Sequence, residues 1–283
     1  MEWLQRLNDA LDYMEDNLDG EISFEEAARL ACCSQYHFQR MFSYIIGVSL
    51  SEYLRRRRLT KAAFDLQNGD KVLDVALRYG YESPTAFNRA FQGVHGISPS
   101  MAQKPDTSLK AFPRVSFQIT IKGATEMDYR IVEKEGFRAV GVRTLLSTDM
   151  EENFKNITPF WEETISSGST KEIVGLMNEE PMGLLAVSTC NGVDKENFYY
   201  ICVSTNKPTP EGMFEVDVPK HLWAIFSGSG HPSSIGDLQK RIFTEWLPTS
   251  GYEWASSPDV EVYLDSDPIN MKYEVWLPIV KKS

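Results

Sequence analysis

Two stretches of the chain place polar tips and arginines at matching positions among aromatics of the kind that fill cores. In Ser34–Ser49 the polar positions are Tyr36, Gln39 and Arg40; in Ser83–Pro99 they are Pro84, Thr85, Asn88 and Arg89. Arginine can bond guanine O6 and N7 as a pair, and glutamine or asparagine can do so with adenine. Between the stretches runs Arg55-Arg56-Arg57-Arg58, with Lys61 close behind. Such a run suits phosphate oxygens and gives an affinity that falls with salt; the plainer reading is a solvated helix face. A third feature is Glu274, a carboxylate set among Tyr273, Val275 and Trp276 on a run that otherwise reads as a buried strand. A buried carboxylate alone is costly, and a ligand cation or hydrogen-bond donor offsets that cost. The plainer readings of Glu274 are a structural salt bridge or an exposed edge position. Glu261 is a second carboxylate that alternation along a strand does not assign to either face.

The elements that must hold these residues are readable. Ser83 caps a helix in which Phe87, Phe91 and Val94 share one face, and Gly96 ends it. Val72–Arg78 is a short helix before it, with Gly80 at the turn, so the pair is a helix-turn-helix whose second member can enter a DNA major groove. An earlier copy lies 49 residues upstream without a gap: Ala27 matches Ala76, Ser34 Ser83, Phe38 Phe87, Arg40 Arg89, Phe42 Phe91, Gly47 Gly96 and Ser49 Ser98. A first helix spans about Trp3 to Leu18 on the stripe Leu4, Leu7, Leu11, Met14 and Leu18. Ser23-Phe24-Glu25-Glu26 opens a second by a capping box. A longer helix from Ser49 or Ser51 to Asn68-Gly69 separates the two reading helices, suiting them to successive groove faces ~34 Å apart.

The charge is uneven. The whole chain of 283 residues carries a formal −11, yet residues 36–104 hold 10 basic and 5 acidic side chains. Residues 1–30 hold 2 basic and 9 acidic, and residues 105–283 hold 17 and 26. The one positive zone is thus the one that carries the polar tips, as phosphate binding requires. No apolar run approaches the ~18 residues of a membrane span, and the acidic amphipathic start is wrong for a signal peptide. Cys32, Cys33, Cys190 and Cys202 form no C-x-x-C pair, so reduced thiols in the cytoplasm are expected. Cys32 and Cys33 read as small buried turn residues, a thiol sensor being the alternative. His37 and His95 lack the company of a metal site. No cofactor is called for.

Fold class is multidomain: an all-α N-terminal domain with two helix-turn-helix units (1–104), a linker with a strand at Val115–Ile121 (105–125), and an α+β C-terminal domain (126–283). In the last, strands are expected at Tyr129–Glu133, Arg138–Thr144, Leu184–Thr189, Tyr199–Ser204, Phe214–Val218, Leu222–Gly228, Val260–Leu264 and Tyr273–Val280. Helices fit Glu151–Ile165 and Ser234–Leu247. Each half is strand, strand, helix, strand, strand, so two repeats can set their sheets side by side with a groove between them. Alternation puts Glu274 and Trp276 on one face and Tyr273 and Val275 on the other.

Residues 1–104 resemble the DNA-binding domain of the AraC/XylS transcription regulators, on Ala76, Gly80, Ser83, Phe87, Arg89, Phe91, Gly96, Ser98 and Pro99. The resemblance implies that Tyr36, Gln39 and Arg40 face base edges, with Pro84, Thr85, Asn88 and Arg89 the corresponding face of the second reading helix. Met101 and Gln103 stand where many members carry an aromatic and a basic residue, and Pro84 supplies no donor. The first reading helix is therefore expected to carry more of the specificity, and changes at Gln39 or Arg40 to relax sequence preference more than Thr85→Ala. Residues 111–282 resemble the GyrI-like small-molecule-binding domain of multidrug-responsive regulators, on Met127-Asp128-Tyr129, Phe137–Gly141, Phe226–Gly230, Val260–Tyr263 and Tyr273–Ile279. In that family the glutamate at the place of Glu274 meets cationic, lipophilic ligands. Trp276, Tyr263, Trp161, Trp223 and Trp246 are then candidate walls, each equally able to be plain core.

The order of domains resembles the Rob-type regulators. It implies a one-component regulator of transcription, an activator by resemblance, with double-stranded promoter DNA, a small effector and RNA polymerase as partners and no membrane. No nucleophile–base pair is evident, so an enzyme is not expected. Two alternatives stay open: a pocket that hydrolyses small electrophiles, with Glu274 and Trp276 or Tyr263 activating water, and a protein-interaction module without a ligand.

Overall fold

The computed structural model describes residues 2–117, 126–147, 150–189, 196–267 and 269–282. The chain divides into two compact units, Met1–Cys32 with Val48–Gln118, and Cys33–Gly47 with Ile119–Ser283.

The first unit is helical. Helix α1 (Glu2–Asp16) buries Leu7, Leu11 and Met14 and packs on α2 (Phe24–Leu30), where the Ser23 hydroxyl accepts from the Glu26 N–H. The next helix, α3 (Gln35–Ile46), belongs to the second unit. Helix α4 (Leu50–Gln67) opens on Ser49 and gives way to α5 (Val72–Arg78). Gly80, at φ +79°, makes the turn to α6 (Pro84–His95). Only glycine takes this left-handed conformation without strain, which is why the turn reads clearly in the sequence. Helix α7 (Pro99–Ala102) is a single capped turn. Leu59, Ala62 and Leu66 of α4 meet Val75, Ala76, Phe87 and Phe91 in one core.

The strand expected over Val115–Ile121 does not form over the described part; residues 118–121 lie outside the described residues. The backbone of this segment finds side-chain partners instead. Phe112 N–H donates to Thr60 Oγ1, Val115 N–H to the Tyr53 hydroxyl and Phe117 N–H to Asn8 Oδ1. With its donors satisfied in this way, the segment has no need of a ladder.

Glu15 is the electrostatic knot of this unit. It is buried, and accepts from Tyr53 at 2.7 Å and from both Nε and a terminal nitrogen of Arg57 at 2.8 Å. Burial works to raise the Glu15 carboxyl, but the bonds from Arg57 and Tyr53 outweigh it and hold it below the usual 4.5. A carboxyl depressed on folding gives stability that is present above about pH 4.5 and is lost as pH falls through the lower folded value. Glu15→Gln strands Arg57 without its counter-charge. It is expected to destabilise the unit by about 3 kcal/mol at neutral pH and to flatten the acid limb of its stability profile, measured by urea melts from pH 3 to 7.

The second unit is a nine-stranded antiparallel sheet with helices. In chain order these are β1 (Tyr129–Lys134), β2 (Phe137–Leu146), α8 (Met150–Ser166), α9 (Ser169–Leu176), β3 (Leu184–Ser188), β4 (Asn197–Ser204), β5 (Phe214–Val218) and β6 (His221–Gly230). There follow α10 (Ser234–Arg241), a π-helical turn Ile242–Trp246, α11 (Leu247–Thr249), β7 (Tyr252–Trp254), β8 (Asp259–Tyr263) and β9 (Met271–Lys281). The strand order is β1-β6-β9-β8-β3-β4-β2-β5, with β7 beside β9. The two repeats meet at β3–β8, where Ala186 pairs with Glu261, and each lends its first strand to the far edge of the other's half.

The sheet has two unlike faces. One carries α8 and α9 over Tyr199, Ile201 and Val203, with Trp161 and Tyr263 packed on that cluster. The other is lined by Leu185, Val187, Cys202, Trp223, Ile225, Val260, Val262 and Trp276. Among the described residues no helix joins this second cluster, yet Trp223 is fully buried. The sheet curls round it: the Phe137 and Trp276 rings, four strands apart in order, lie 6.5 Å from each other. Among the described residues no helix is long and apolar enough to cross a membrane. Cys32 is exposed at φ +53°, against the burial expected of it, and Cys190 lies outside the described residues.

Candidate nucleic-acid interface and effector cleft

Helices α3 and α6 are built alike. Each has 12 residues. Ser34 accepts from the His37 N–H and Ser83 from the Ala86 N–H, while Gly47 and Gly96 close them at φ +81° and +77°. Their surroundings differ. On α6, Phe87 and Phe91 are fully buried, and Pro84, Thr85, Asn88 and Arg89 are all exposed. Aromatic contacts of Phe87 with Tyr81 at 5.2 Å and Phe91 at 5.6 Å fix the helix about its axis and so aim these four residues outward.

On α3 the polar residues point into the second unit. Gln39 and Arg40 are only 3% and 5% exposed, so the surface that the sequence assigns to base edges is covered in this structure. The cause is an ion pair 219 residues apart: Arg40 donates to both oxygens of Asp259, at 2.7 and 2.6 Å. Burial works against the Arg40 charge, but Asp259 together with Tyr44, Tyr36 and Glu261 outweighs it and holds the guanidinium well above its ordinary value. Around this pair, Tyr36 packs on the cluster of Tyr199 and Ile201. His37 stacks on Trp254 at 3.8 Å, and Tyr44 stacks on Phe243 at 6.0 Å. Burial pushes the His37 imidazole down to about 3, so it is neutral. His37 Nε2 and Gln39 Nε2 are buried with no hydrogen-bond partner among the described residues.

The arginine run of α4 has partners within its own unit. Arg55 and Arg56 both donate to Glu52, Arg57 to Glu15 and the Phe112 carbonyl, and Arg58 to the carbonyls of Leu18 and Gly20. Arg57 and Arg58 therefore tie α4 to the end of α1 and the turn after it, a role that sequence composition does not reveal. Arg55 is the most exposed of the four.

The aromatic and acidic residues expected of one pocket are distributed over both faces of the sheet. Glu274 and Trp276 do share a face, and Trp276 Nε1–H donates to Glu274 at 2.8 Å. Arg130 adds bonds of 2.9 and 3.0 Å to the same carboxylate. Glu274 is thus a salt-bridged residue at the margin of the curled core, and Trp223 and Trp276 are core. Trp161 and Tyr263 stand on the helix-bearing face, 5.2 Å apart. Trp246 packs on Phe226 and Tyr129 at 5.0 and 5.4 Å. Glu274 and Tyr263 stand on opposite faces, so of the two partners named for water activation only Trp276 lies beside Glu274.

The carboxylate that does meet Tyr263 is Glu261. It accepts from the Tyr263 hydroxyl at 2.7 Å and from Gln239 of α10 at 2.8 Å. Tyr199 beside it accepts from Trp161 Nε1–H at 3.0 Å. Burial pushes the Glu261 carboxyl up, with the Arg40 charge and the Tyr263 and Gln239 bonds opposing. Asp259, Glu261 and Tyr263 alternate onto one face of β8, between α8 and α10. The signal was present in the sequence as Val260-Glu261-Val262-Tyr263, but which face would receive helices depends on strand order. A separate surface groove of about 590 Å³, lined by Phe137, Arg138, Glu180 and Lys207 among others, contains none of the residues expected to hold an effector.

Comparison with known proteins accords with these two parts. Residues 130–279 match the family model of integron-associated effector binding proteins, and residues 27–104 match a helix-turn-helix domain. The HTH-type transcriptional activator AarP of Providencia stuartii is 37% identical over 102 residues, which are 36% of this chain and 76% of AarP. The right origin-binding protein of Escherichia coli K12 is 24% identical over 96% of this chain and 97% of its own length. A transcription regulation protein from Staphylococcus aureus MU50 superposes with a TM-score of 0.46 at 17% identity, over 54% of this chain and 99% of that one. The chain is a member of the AraC-type helix-turn-helix transcription regulators, with a domain of the integron-associated effector-binding family following its DNA-binding residues.

Proposed function

We propose that this regulator reads double-stranded promoter DNA with two helices and that a small effector, bound on the helix-bearing face of its sheet, controls it as an activator of RNA polymerase. Asn88 and Arg89, with Pro84 and Thr85, are the base-facing tip of α6; Tyr36, Gln39 and Arg40 are that of α3; Arg55 and Arg56 meet phosphates. The observation that carries the reading is the exposed polar tip of α6 above the fully buried Phe87 and Phe91. The effector residues are Glu261, Tyr263, Tyr199 and Trp161, in place of the set centred on Glu274. Binding, without turnover, is the role assigned to this cleft. Its architecture supports a cytoplasmic protein with no membrane partner.

Gel-shift titration over a library of genomic fragments tests it. Arg89→Ala is expected to weaken a bound fragment and blunt its preference at one base pair, a loss of about 1–3 kcal/mol. Arg55→Ala is expected to weaken all fragments alike and to lower the salt slope by about 1. Absence of fragment binding at low salt would sink the reading.

A further inference from the structure

We propose that the open edge of β2 at Val142–Leu146, with Arg143 on it, is a docking site for an extended acidic segment of another protein, added to the sheet as a further strand. The partner presents a carboxylate to Arg143 and an apolar side chain to Leu145. These two residues lie on the sheet face away from α8 and α9, apart from the effector cleft. The inference goes beyond the regulator reading and does not depend on it.

The edge follows from the ladder. Strand β4 pairs with β2 from Ala139 to Leu146, but β5 covers the other side only from Phe137 to Gly141. Among the described residues, Val142–Leu146 therefore has a neighbouring strand on one side alone. Backbone donors and acceptors on the open side are a template for a further strand. Side chains alternate along β2, so Arg143 and Leu145 fall on the face of Phe137 and Ala139. Leu145 is 53% exposed, and Phe214 at the start of β5 is 42% exposed.

Arg143 supplies the charge that selects the partner. Its guanidinium carbon lies 3.9 Å from the Phe198 ring centre and 4.2 Å from that of Phe214. One terminal nitrogen donates to the Tyr200 hydroxyl at 3.2 Å. The rings hold the side chain in place without neutralising it. Arg40, Arg130, Arg138 and Arg241, the other arginines of this unit, all meet carboxylates; Arg143 meets none among the described residues. Its remaining N–H groups suit a carboxylate, which can accept two such bonds side by side. A second copy of the chain is a poor occupant, because antiparallel pairing over the whole edge sets the two Arg143 side chains diagonal to each other on one face. An antiparallel segment in line with β5 instead sets an acidic residue opposite Arg143 and an apolar residue, two earlier, opposite Leu145. The plainer role of an arginine on a strand edge is to repel other strands, and the experiment separates the two.

The probe is the peptide fluorescein-Thr-Val-Thr-Val-Thr-Glu-Thr-amide, titrated with the full chain and followed by anisotropy. Saturable binding with a Kd below about 1 mM is expected. Arg143→Gln is expected to weaken it roughly tenfold or more, as the loss of a charge-assisted bond does. Replacing the peptide's Glu by Gln should cost the wild type the same factor and cost Arg143→Gln nothing further. The Gln peptide tests the charge on the unaltered protein, so a variant that folds poorly does not mask the result. Leu145→Glu, at an exposed position, should weaken binding as well. Hydrogen–deuterium exchange should slow at residues 142–146 when the peptide binds. It should stay unchanged at Leu184–Ser188, which already has strands on both sides. Equal binding of the Glu and Gln peptides, no binding by the wild type, or slowed exchange confined to other elements overturns the proposal. So does an Arg143→Gln chain that self-associates while the wild type ignores the peptide, since the arginine then only guards the edge.

Discussion

Phe87→Ala is expected to remove about 3–5 kcal/mol from the helical unit, the range for deleting a fully buried phenyl group. The position is central for three reasons. Phe87 is fully buried, it contacts Tyr81 and Phe91, and it lies on the turn that carries Asn88 and Arg89. Losing it leaves α6 without the wedge that sets its rotation, so fragment binding should fall along with stability. Phe87→Leu keeps most of the volume and should cost less than half as much. Met101→Ala is the control: Met101 is 43% exposed and its loss should be nearly neutral. Urea melts of the three variants, with gel shifts at matched folded fraction, separate lost stability from lost contact. Equal effects at Phe87 and Met101 would contradict the core drawn here.

Gly141→Ala is expected to be as damaging in the other unit. A Cβ there would lie 2.0 Å from the Ile201 carbonyl oxygen and 2.6 Å from the Cys202 Cα. These are atoms of the paired strand β4, so backbone rather than a flexible side chain must yield. Overpacking commonly costs 1–3 kcal/mol; with the β2–β4 ladder forced apart, about 3 kcal/mol or more is expected. Gly175→Ala, where the added carbon meets nothing within 4 Å, is the matched control and should leave the melt unmoved. Thermal melts followed by near-ultraviolet dichroism of the tryptophans will show the difference.

What could be foreseen from the sequence followed locality. Helix α6 was legible because its cap, its apolar stripe and its glycine stop all lie within 14 residues, Ser83 to Gly96. The strands β2, β4 and β5 were legible for the same reason, since β-branched and aromatic runs announce themselves without knowledge of partners. Two features were not. The burial of Gln39 and Arg40 depends on Asp259, far along the chain, and nothing in Ser34–Ser49 distinguishes it from its exposed copy. Which carboxylate shares the helix-bearing face with Tyr263, Glu261 or Glu274, depends on strand order, because period-2 alternation yields two faces without saying which one the helices cover. Helix α9, strand β7 and the π-helical turn leave no clear local signal, since they are short or break periodicity.

Arg40 also bears on how this sequence can vary. One side chain answers to a carboxylate inside the protein and, in the role assigned to α3, to a base pair outside it. A substitution there that suits a changed operator also breaks the ion pair with Asp259. Arg89, at the equivalent place on the copy, is exposed, with no ion pair among the described residues. Lineages of this regulator should therefore retarget through α6 and hold α3 fixed, the duplication giving one copy freedom to change while the other keeps its ion pair.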